Sequence, residues 1–235
     1  MKLLFIGLIF FNVHFLPAQE LSFPPKVNLF QYVVSESFIL NIPNARIWGF
    51  SEDGKIAFSE EIMNSASGQI IIFTIFDLVT NNNVFELITG QHIHGYMVHD
   101  EALYNLYATS ILNALEIHNI IGTETEFLPF PFRINDIVYN GQIIDVEHEQ
   151  DRSDRGFDYV ISKYTVLLTA NDKEKIIANF NISGSTTFDV YISGFFLSPF
   201  ENRAMLVVAE IGWFHGEGRV IGYKFIGFHL EEGFY

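Results

Sequence analysis

The chain has 235 residues, a formal net charge of −15 and no cysteine. This acidic composition disfavours nucleic acid and anionic lipid as partners, because both would be repelled, and the absence of cysteine excludes disulfide bonds and thiolate metal sites. The 25 Phe and 10 Tyr residues fall mostly in alternating runs, which are typical of β-strands. The composition therefore predicts a mainly β protein whose stability comes from a hydrophobic core.

The first 18 residues contain the three parts of a secretory signal peptide. Lys2 provides a positive charge, an apolar run follows over residues 3–11, and Ala18 is a small residue at the expected cleavage point. The apolar run is shorter than the about 20 residues that a membrane-spanning helix needs. We therefore expect export to the periplasm or out of the cell, with cleavage after Ala18 and no membrane span in the remaining chain. The alternative is a retained N-terminal anchor.

Residues 46–60 predict a β-hairpin. Its turn centres on Asp53 and Gly54, because glycine supplies the positive φ that such a turn needs and aspartate tolerates it. The apolar residues recur close to every second position and should share one face of the hairpin: Trp48, Phe50, Ile56 and Phe58. Together with residues 70–78, the hairpin is similar to one blade of a β-propeller. A propeller needs at least about four such repeats and the pattern occurs once, so a complete propeller is the less favoured alternative.

The first third of the chain predicts about five strands in antiparallel succession. Besides the hairpin, residues 29–40 form one β-prone run, residues 70–78 have the apolar character of a central strand covered on both faces, and residues 84–88 return after a turn. One α-helix is predicted at about residues 100–119, because acidic residues open it, apolar residues recur on one face and Gly122 follows its end. Burial against the sheet should stabilise this helix.

The second half of the chain predicts an antiparallel meander. Residues 127–132 form an extended, proline-broken connector. The β-prone runs beyond it are residues 137–148, 157–169, 175–182, 187–197, 204–213 and 219–230. The predicted fold is thus mainly β, with about eleven antiparallel strands in a meander, a sandwich or partial propeller-like sheets, and one helix. We see no linker that divides the chain, so residues 19–235 are predicted to form a single domain.

Motifs near the start and the end of the mature chain carry a resemblance to a known family. The first group comprises residues 49–61, from Gly-Phe-Ser-Glu-Asp-Gly-Lys to Phe-Ser-Glu-Glu, and residues 71–77; the second comprises residues 196–199, 204–208 and 216–219. On these motifs the chain resembles a bacterial family described only as "predicted secreted protein", a domain of unknown function. The resemblance covers nearly all of the mature chain and implies an exported protein without an assigned chemistry.

The sharpest candidate for chemistry is a histidine cluster. On a strand, His92 and His94 would share one face, and His99 at the helix start could turn toward them, with Glu101 as a carboxylate partner. Three imidazoles with an open coordination position are the ligand set of a catalytic zinc site. We favour the interpretation that these histidines are ordinary polar residues, because His-x-His also occurs by chance.

Two other groups of polar residues are weaker candidates for a functional site. Asp145, Glu147 and Glu149 alternate on one predicted strand face and could offer oxygen ligands to calcium, although a solvated sheet face explains them better. A glycine-rich turn contains a further polar group, for which an ordinary hairpin turn is the default reading: His215, Glu217 and Arg219. The sequence contains no Gly-x-Ser-x-Gly motif, phosphate-binding loop or dinucleotide motif.

The sequence therefore favours an exported, non-enzymatic binding or envelope-interaction module. Its expected partner is an unidentified protein or a ligand of the cell envelope, and not nucleic acid. No cofactor is expected in this role. The alternative is a metal-dependent, hydrolase-like enzyme with a divalent metal bound by His92, His94 and His99.

Overall fold

The computed structural model describes residues 22–33, 39–40, 42–64, 68–90, 100–150, 159–214 and 217–235. Across these ranges the chain forms fourteen strands and two helices, which confirms the prediction of a mainly β fold. The strands are β1 Lys26–Asn28, β2 Ile39–Leu40, β3 Asn44–Phe50, β4 Lys55–Asn64, β5 Gly68–Asp77, β6 Asn82–Gly90, β7 Phe127–Leu128, β8 Phe132–Ile134, β9 Ile137–Gln150, β10 Tyr159–Ala170, β11 Lys173–Asn181, β12 Thr187–Leu197, β13 Arg203–Phe214 and β14 Glu217–His229. The helices are α1 Asp100–Leu106 and α2 Ala108–Ile117. Both helices are too short to cross a membrane.

The described strands form three sheets. The first sheet has the order β1-β3-β4-β5-β6, the middle sheet β2-β14-β13-β12-β7 and the outer sheet β11-β10-β9-β8. Neighbouring strands are antiparallel, apart from the parallel pair β2 and β14. Four strands of the first sheet, β3 to β6, correspond to predicted strands of the first third of the chain. The six runs predicted beyond residue 137 correspond to β9–β14, within two residues at each end.

Strand β13 lies at the centre of the middle sheet and is buried on both faces. Its residues alternate between two hydrophobic cores, as the period of two in a strand requires. The residues in the core shared with the first sheet are Met205, Val207, Ala209 and Ile211. The residues in the core shared with the outer sheet are Ala204, Leu206 and Val208. The three sheets are therefore stacked, with the middle sheet covered on both sides.

The two helices cover the other face of the first sheet. Leu103 and Tyr104 of α1 and Ile111 and Ala114 of α2 are buried there against β3, β4 and β5. The predicted single helix is interrupted at Tyr107, whose φ of −112° and ψ of 9° lie outside the helical range. The amide of Tyr107 accordingly donates to the carbonyl of Tyr104, three residues back, at 3.1 Å.

The hairpin of β3 and β4 is confirmed, but its apolar residues do not share one face. Gly54 has a φ of +86°, as predicted. A β-bulge between Ile47 and Gly49 interrupts the register, so Phe50 faces the middle sheet while Trp48 faces the helices. Gly49 has a φ of +146°, and a Cβ there would lie 2.1 Å from the carbonyl oxygen of Ile121. The close approach of the segment after α2 thus requires glycine at this position.

The single β-prone run predicted at residues 29–40 is confirmed only at its end, where Ile39–Leu40 form β2; residues 34–38 lie outside the described residues. Strand β1 precedes this range, and the described residues 29–32 form a turn. The side chain of Asn28 explains the turn, since its Oδ1 accepts a hydrogen bond from the amide of Phe30 at 2.9 Å. Strand β5 agrees better with its prediction: Ile71, Phe73 and Ile75 are buried on the helix side, and Phe76 is buried toward the middle sheet.

Candidate functional site: a cleft beside Trp48

The predicted metal ligands His92, His94 and His99 lie outside the described residues, so the metal site stays a prediction. Glu101, their proposed carboxylate partner, is exposed in α1. Within the described ranges, no group of three or more His, Cys, Asp or Glu side chains is placed to hold a metal ion.

The regular spacing predicted for the three carboxylates of β9 is interrupted at Asp145. The register of β9 and β10 shifts twice, and Asp145 in this bulged region has a φ of +51°. Glu147 pairs with Lys163 at 2.6 Å, and Glu149 Oε1 accepts a hydrogen bond from the amide of Gly184 at 2.5 Å. Two of these carboxylates therefore bind different protein partners. His215 of the other polar group lies outside the described residues.

A cleft of about 750 Å³ lies between residues 22–27, strand β3 and the end of helix α2. Most of its lining is apolar and includes Phe23, Val27, Ile47, Trp48, Leu112 and Leu115. The polar part of the lining comes chiefly from the segment after α2 and includes Thr123, Glu124 and Thr125. Sites for small molecules typically have volumes of about 300–1,000 Å³ and combine an apolar lining with a few polar groups. The cleft has both properties.

The indole of Trp48 is held in place by hydrogen bonds that reach from the sheet to the helices. Its Nε1 donates to Ser59 Oγ at 3.0 Å, and that oxygen lies 2.7 Å from the hydroxyl of Tyr104 in α1. Burial raises the pKa of Tyr104, so its hydroxyl remains protonated at neutral pH. The ring of Phe23 meets that of Trp48 edge to face, with centroids 6.3 Å apart. The aromatic wall of the cleft is therefore fixed on several sides.

A buried ionic network lies next to this wall. Arg46 and Glu61 are 7% and 3% exposed, and Arg46 Nε donates to Glu61 Oε1 at 2.7 Å. The hydroxyl of Tyr104 donates to the same oxygen at 3.3 Å. Lys26 Nζ lies 2.7 Å from Glu61 Oε2 and forms an ion pair without well-aligned hydrogen-bond geometry. One buried carboxylate thus compensates two cations, and its loss would leave Arg46 buried without a counter-charge.

The same network anchors the N-terminal segment that forms one side of the cleft. Arg46 Nη1 donates to the carbonyl of Pro24 at 2.5 Å. Its guanidinium carbon lies 6.0 Å from the ring centre of Phe23 and 5.7 Å from that of Tyr104, within the range of cation–π contacts. The wall formed by residues 22–27 is therefore joined to the first sheet by charge as well as by packing.

The sequence analysis missed this site, although one signal for it was present. Arg46 and Glu61 each interrupt a β-prone run, and the observed register pairs Asn44 with Glu61 and Arg46 with Ser59. Arg46 and Glu61 are therefore diagonal neighbours on adjacent strands, within reach of long side chains. The cleft itself could not be predicted, because it depends on how residues 22–27 and 120–125 approach β3.

Two further carboxylates lie between the sheets. Burial, together with the charge of Glu86, raises the pKa of Glu60 from 4.5 to about 7. Glu210 accepts a hydrogen bond from the hydroxyl of Tyr164 at 2.9 Å, and its other oxygen lies 3.4 Å from Lys224 Nζ. Neither carboxylate lines the Trp48 cleft. Glu60 therefore titrates near neutral pH, whereas Glu210 is paired with Tyr164 and Lys224.

Comparisons with protein-family models, with curated proteins and with solved structures give no match to this chain. The resemblance to the secreted family therefore stays a prediction based on its motifs. The function has to be inferred from the cleft and from the residues that form it.

Proposed function

We propose that this chain is an exported, non-enzymatic binding protein that takes a small, largely apolar molecule into the Trp48 cleft. The observation that carries the proposal is the cleft itself, with a volume of about 750 Å³ and a mostly apolar and aromatic lining. The signal-peptide pattern of residues 1–18 and the motifs of the secreted family support the exported part of the proposal. The ligand would then be met in the periplasm or outside the cell.

The construction of the cleft supports a role in binding. Its aromatic wall is already ordered without a ligand. Trp48 is hydrogen-bonded to Ser59, and Arg46, paired with Glu61, contacts the ring of Phe23. A preformed wall loses little conformational entropy when a ligand binds. The lining supplies apolar surface, hydroxyl groups and one carboxylate, which are groups that orient a ligand.

The proposal is tested with N-phenyl-1-naphthylamine, a neutral probe whose fluorescence rises in an apolar site. We expect saturable binding to the protein purified after expression of the full chain. Gly122→Phe should abolish binding, because an added Cβ at Gly122 meets only Trp48 O, at 3.7 Å, and the larger side chain would enter the cleft that Gly122 lines.

Gly222→Phe is the matched control. Gly222 lies in β14, no atom lies within 4 Å of its added Cβ in the described structure, and it does not line the cleft. This variant should bind the probe like the wild type. Absence of saturable binding in the wild type, or equal binding by a folded Gly122→Phe variant, would show that the cleft is not the binding site.

A further inference from the structure

We propose that the ligand of the Trp48 cleft is an organic monocation, an ammonium group on an alkyl or aryl body. This inference rests on the proposed function, because it concerns the same cleft. Four features of the described residues carry it: the charge of the lining, the position of the nearby cations, the end of α2 and the aromatic wall.

The lining has negative and no positive charge. Glu124 is the single charged residue among the described residues that line the cleft, and its side chain is exposed to solvent. An anionic ligand would therefore be repelled, whereas an ammonium group would be attracted and could pair with Glu124.

The two cations beside the cleft are already engaged. Arg46 Nε and Lys26 Nζ each lie 2.7 Å from an oxygen of Glu61, and neither residue belongs to the lining. Their charges are thus compensated by Glu61 outside the lining, so neither gives the cleft an uncompensated positive charge for a ligand carboxylate. A cationic head group leaves the network intact.

The end of helix α2 adds to the negative potential. Leu112 and Leu115 of α2 and the residues that follow the helix line the cleft. The C-terminal end of a helix carries a partial negative charge, and the last turn of α2 contains no Lys or Arg to offset it. A cation near Glu124 would lie close to this end of the helix.

The remaining lining suits the two parts of such a ligand. Phe23 and the edge of β3 at Trp48 contribute aromatic residues to the lining, and Leu112 and Leu115 offer apolar surface for the body of the ligand. Thr123 also lines the cleft and adds polar surface next to Glu124 in the chain.

The experiment compares octylammonium, octanol and octanoate, which share one alkyl chain, as competitors of N-phenyl-1-naphthylamine at low salt. Octylammonium should displace half of the probe at a concentration about tenfold below that of octanoate, with octanol between them. Glu124→Gln should reduce this ratio by about three- to fivefold, because one exposed charge contributes modestly. Glu126→Gln is the matched control and should leave the ratio nearly unchanged, since Glu126 does not line the cleft.

The outcomes separate the two proposals. Equal displacement by octylammonium and octanoate overturns the cationic ligand but leaves the binding function in place. Failure of the probe to bind the wild type overturns both. A preference for octylammonium that keeps its full size in Glu124→Gln also overturns the inference, because the preference would then come from another part of the protein.

Discussion

At the scale of single residues, Glu61 is the charged side chain on which the candidate site depends most. It compensates Arg46 and Lys26, and Arg46 in turn holds Pro24 and Phe23. Glu61→Gln keeps the shape of the side chain and removes its charge. We expect the free energy of unfolding to fall by about 3–5 kcal/mol, because the variant leaves the buried Arg46 without its counter-charge. Urea denaturation measures this change.

Glu147→Gln is the control for this prediction. Glu147 also pairs with a lysine, Lys163, but at an exposed position in β9. Exposed ion pairs contribute little to stability, so this variant should unfold like the wild type. Equal stability of the two variants would contradict the claim that the buried network of Glu61 stabilises the fold.

The raised pKa of Glu60 predicts that the stability of the fold depends on pH. This pKa is raised from 4.5 to about 7, first by burial and second by the charge of Glu86. Because this pKa is higher in the folded than in the unfolded chain, the contribution of Glu60 is fully present below pH 4.5 and is lost as the pH rises through about 7. The unfolding free energy of the wild type should therefore fall relative to that of Glu60→Gln between these two pH values. Parallel pH profiles from urea denaturation would disprove this assignment.

At the scale of elements, the bulge in β3 turns Trp48 toward the helices and admits the segment after α2. The amide of Phe50 donates a hydrogen bond to the carbonyl of Ile121 at 3.1 Å, and the amide of Ile121 donates one to the carbonyl of Phe50 at 2.8 Å. Gly49→Ala would place a Cβ 2.1 Å from the Ile121 carbonyl oxygen, at a backbone conformation that alanine rarely adopts. We expect a loss of about 2 kcal/mol or more in unfolding free energy and weaker binding of the probe.

Gly122→Ala is the comparison for this element. The nearest atom to its added Cβ is the carbonyl oxygen of Trp48 at 3.7 Å, which is an ordinary contact. Its stability should stay within about 0.5 kcal/mol of the wild type. If Gly49→Ala were equally harmless, the contact between β3 and the segment after α2 would not hold the cleft together.

The elements also show how far the sequence could predict this fold. Strands β9–β14 could be predicted because β-prone runs and turn residues mark their ends locally. The bulge beside Gly49 could not, since it depends on the approach of Ile121, some seventy residues later in the chain. The prediction of a strand starting at residue 29 failed because a side-chain hydrogen bond of Asn28 stabilises a turn over residues 29–32. Local patterns thus fixed most strands, whereas long-range contacts formed the site.

At the scale of the whole molecule, the export prediction has its own test. Full-length expression in a bacterial host should yield a periplasmic or secreted protein whose mass corresponds to a chain that begins at Gln19. Mass spectrometry of the fractionated cells measures this. A full-length protein in the membrane fraction would instead favour the retained N-terminal anchor.

The alternative function is a metal-dependent enzyme, whose predicted ligands lie outside the described residues. If the protein is a binding module, metal analysis should find no stoichiometric zinc, iron or copper, and replacing His92 and His94 by alanine should leave probe binding unchanged. Tightly bound metal that the double variant loses would favour the enzyme.

The central claim is that the Trp48 cleft is the binding site. The most direct measurement is a crystal structure with an alkylammonium compound whose apolar end carries bromine, located by its anomalous scattering. We predict a bromine peak among the apolar residues between Trp48 and Leu115, with the ammonium group on the side of Glu124. A peak elsewhere, for example in the smaller cavity beside Ser193 between the middle and outer sheets, with the Trp48 cleft unoccupied, would contradict the claim.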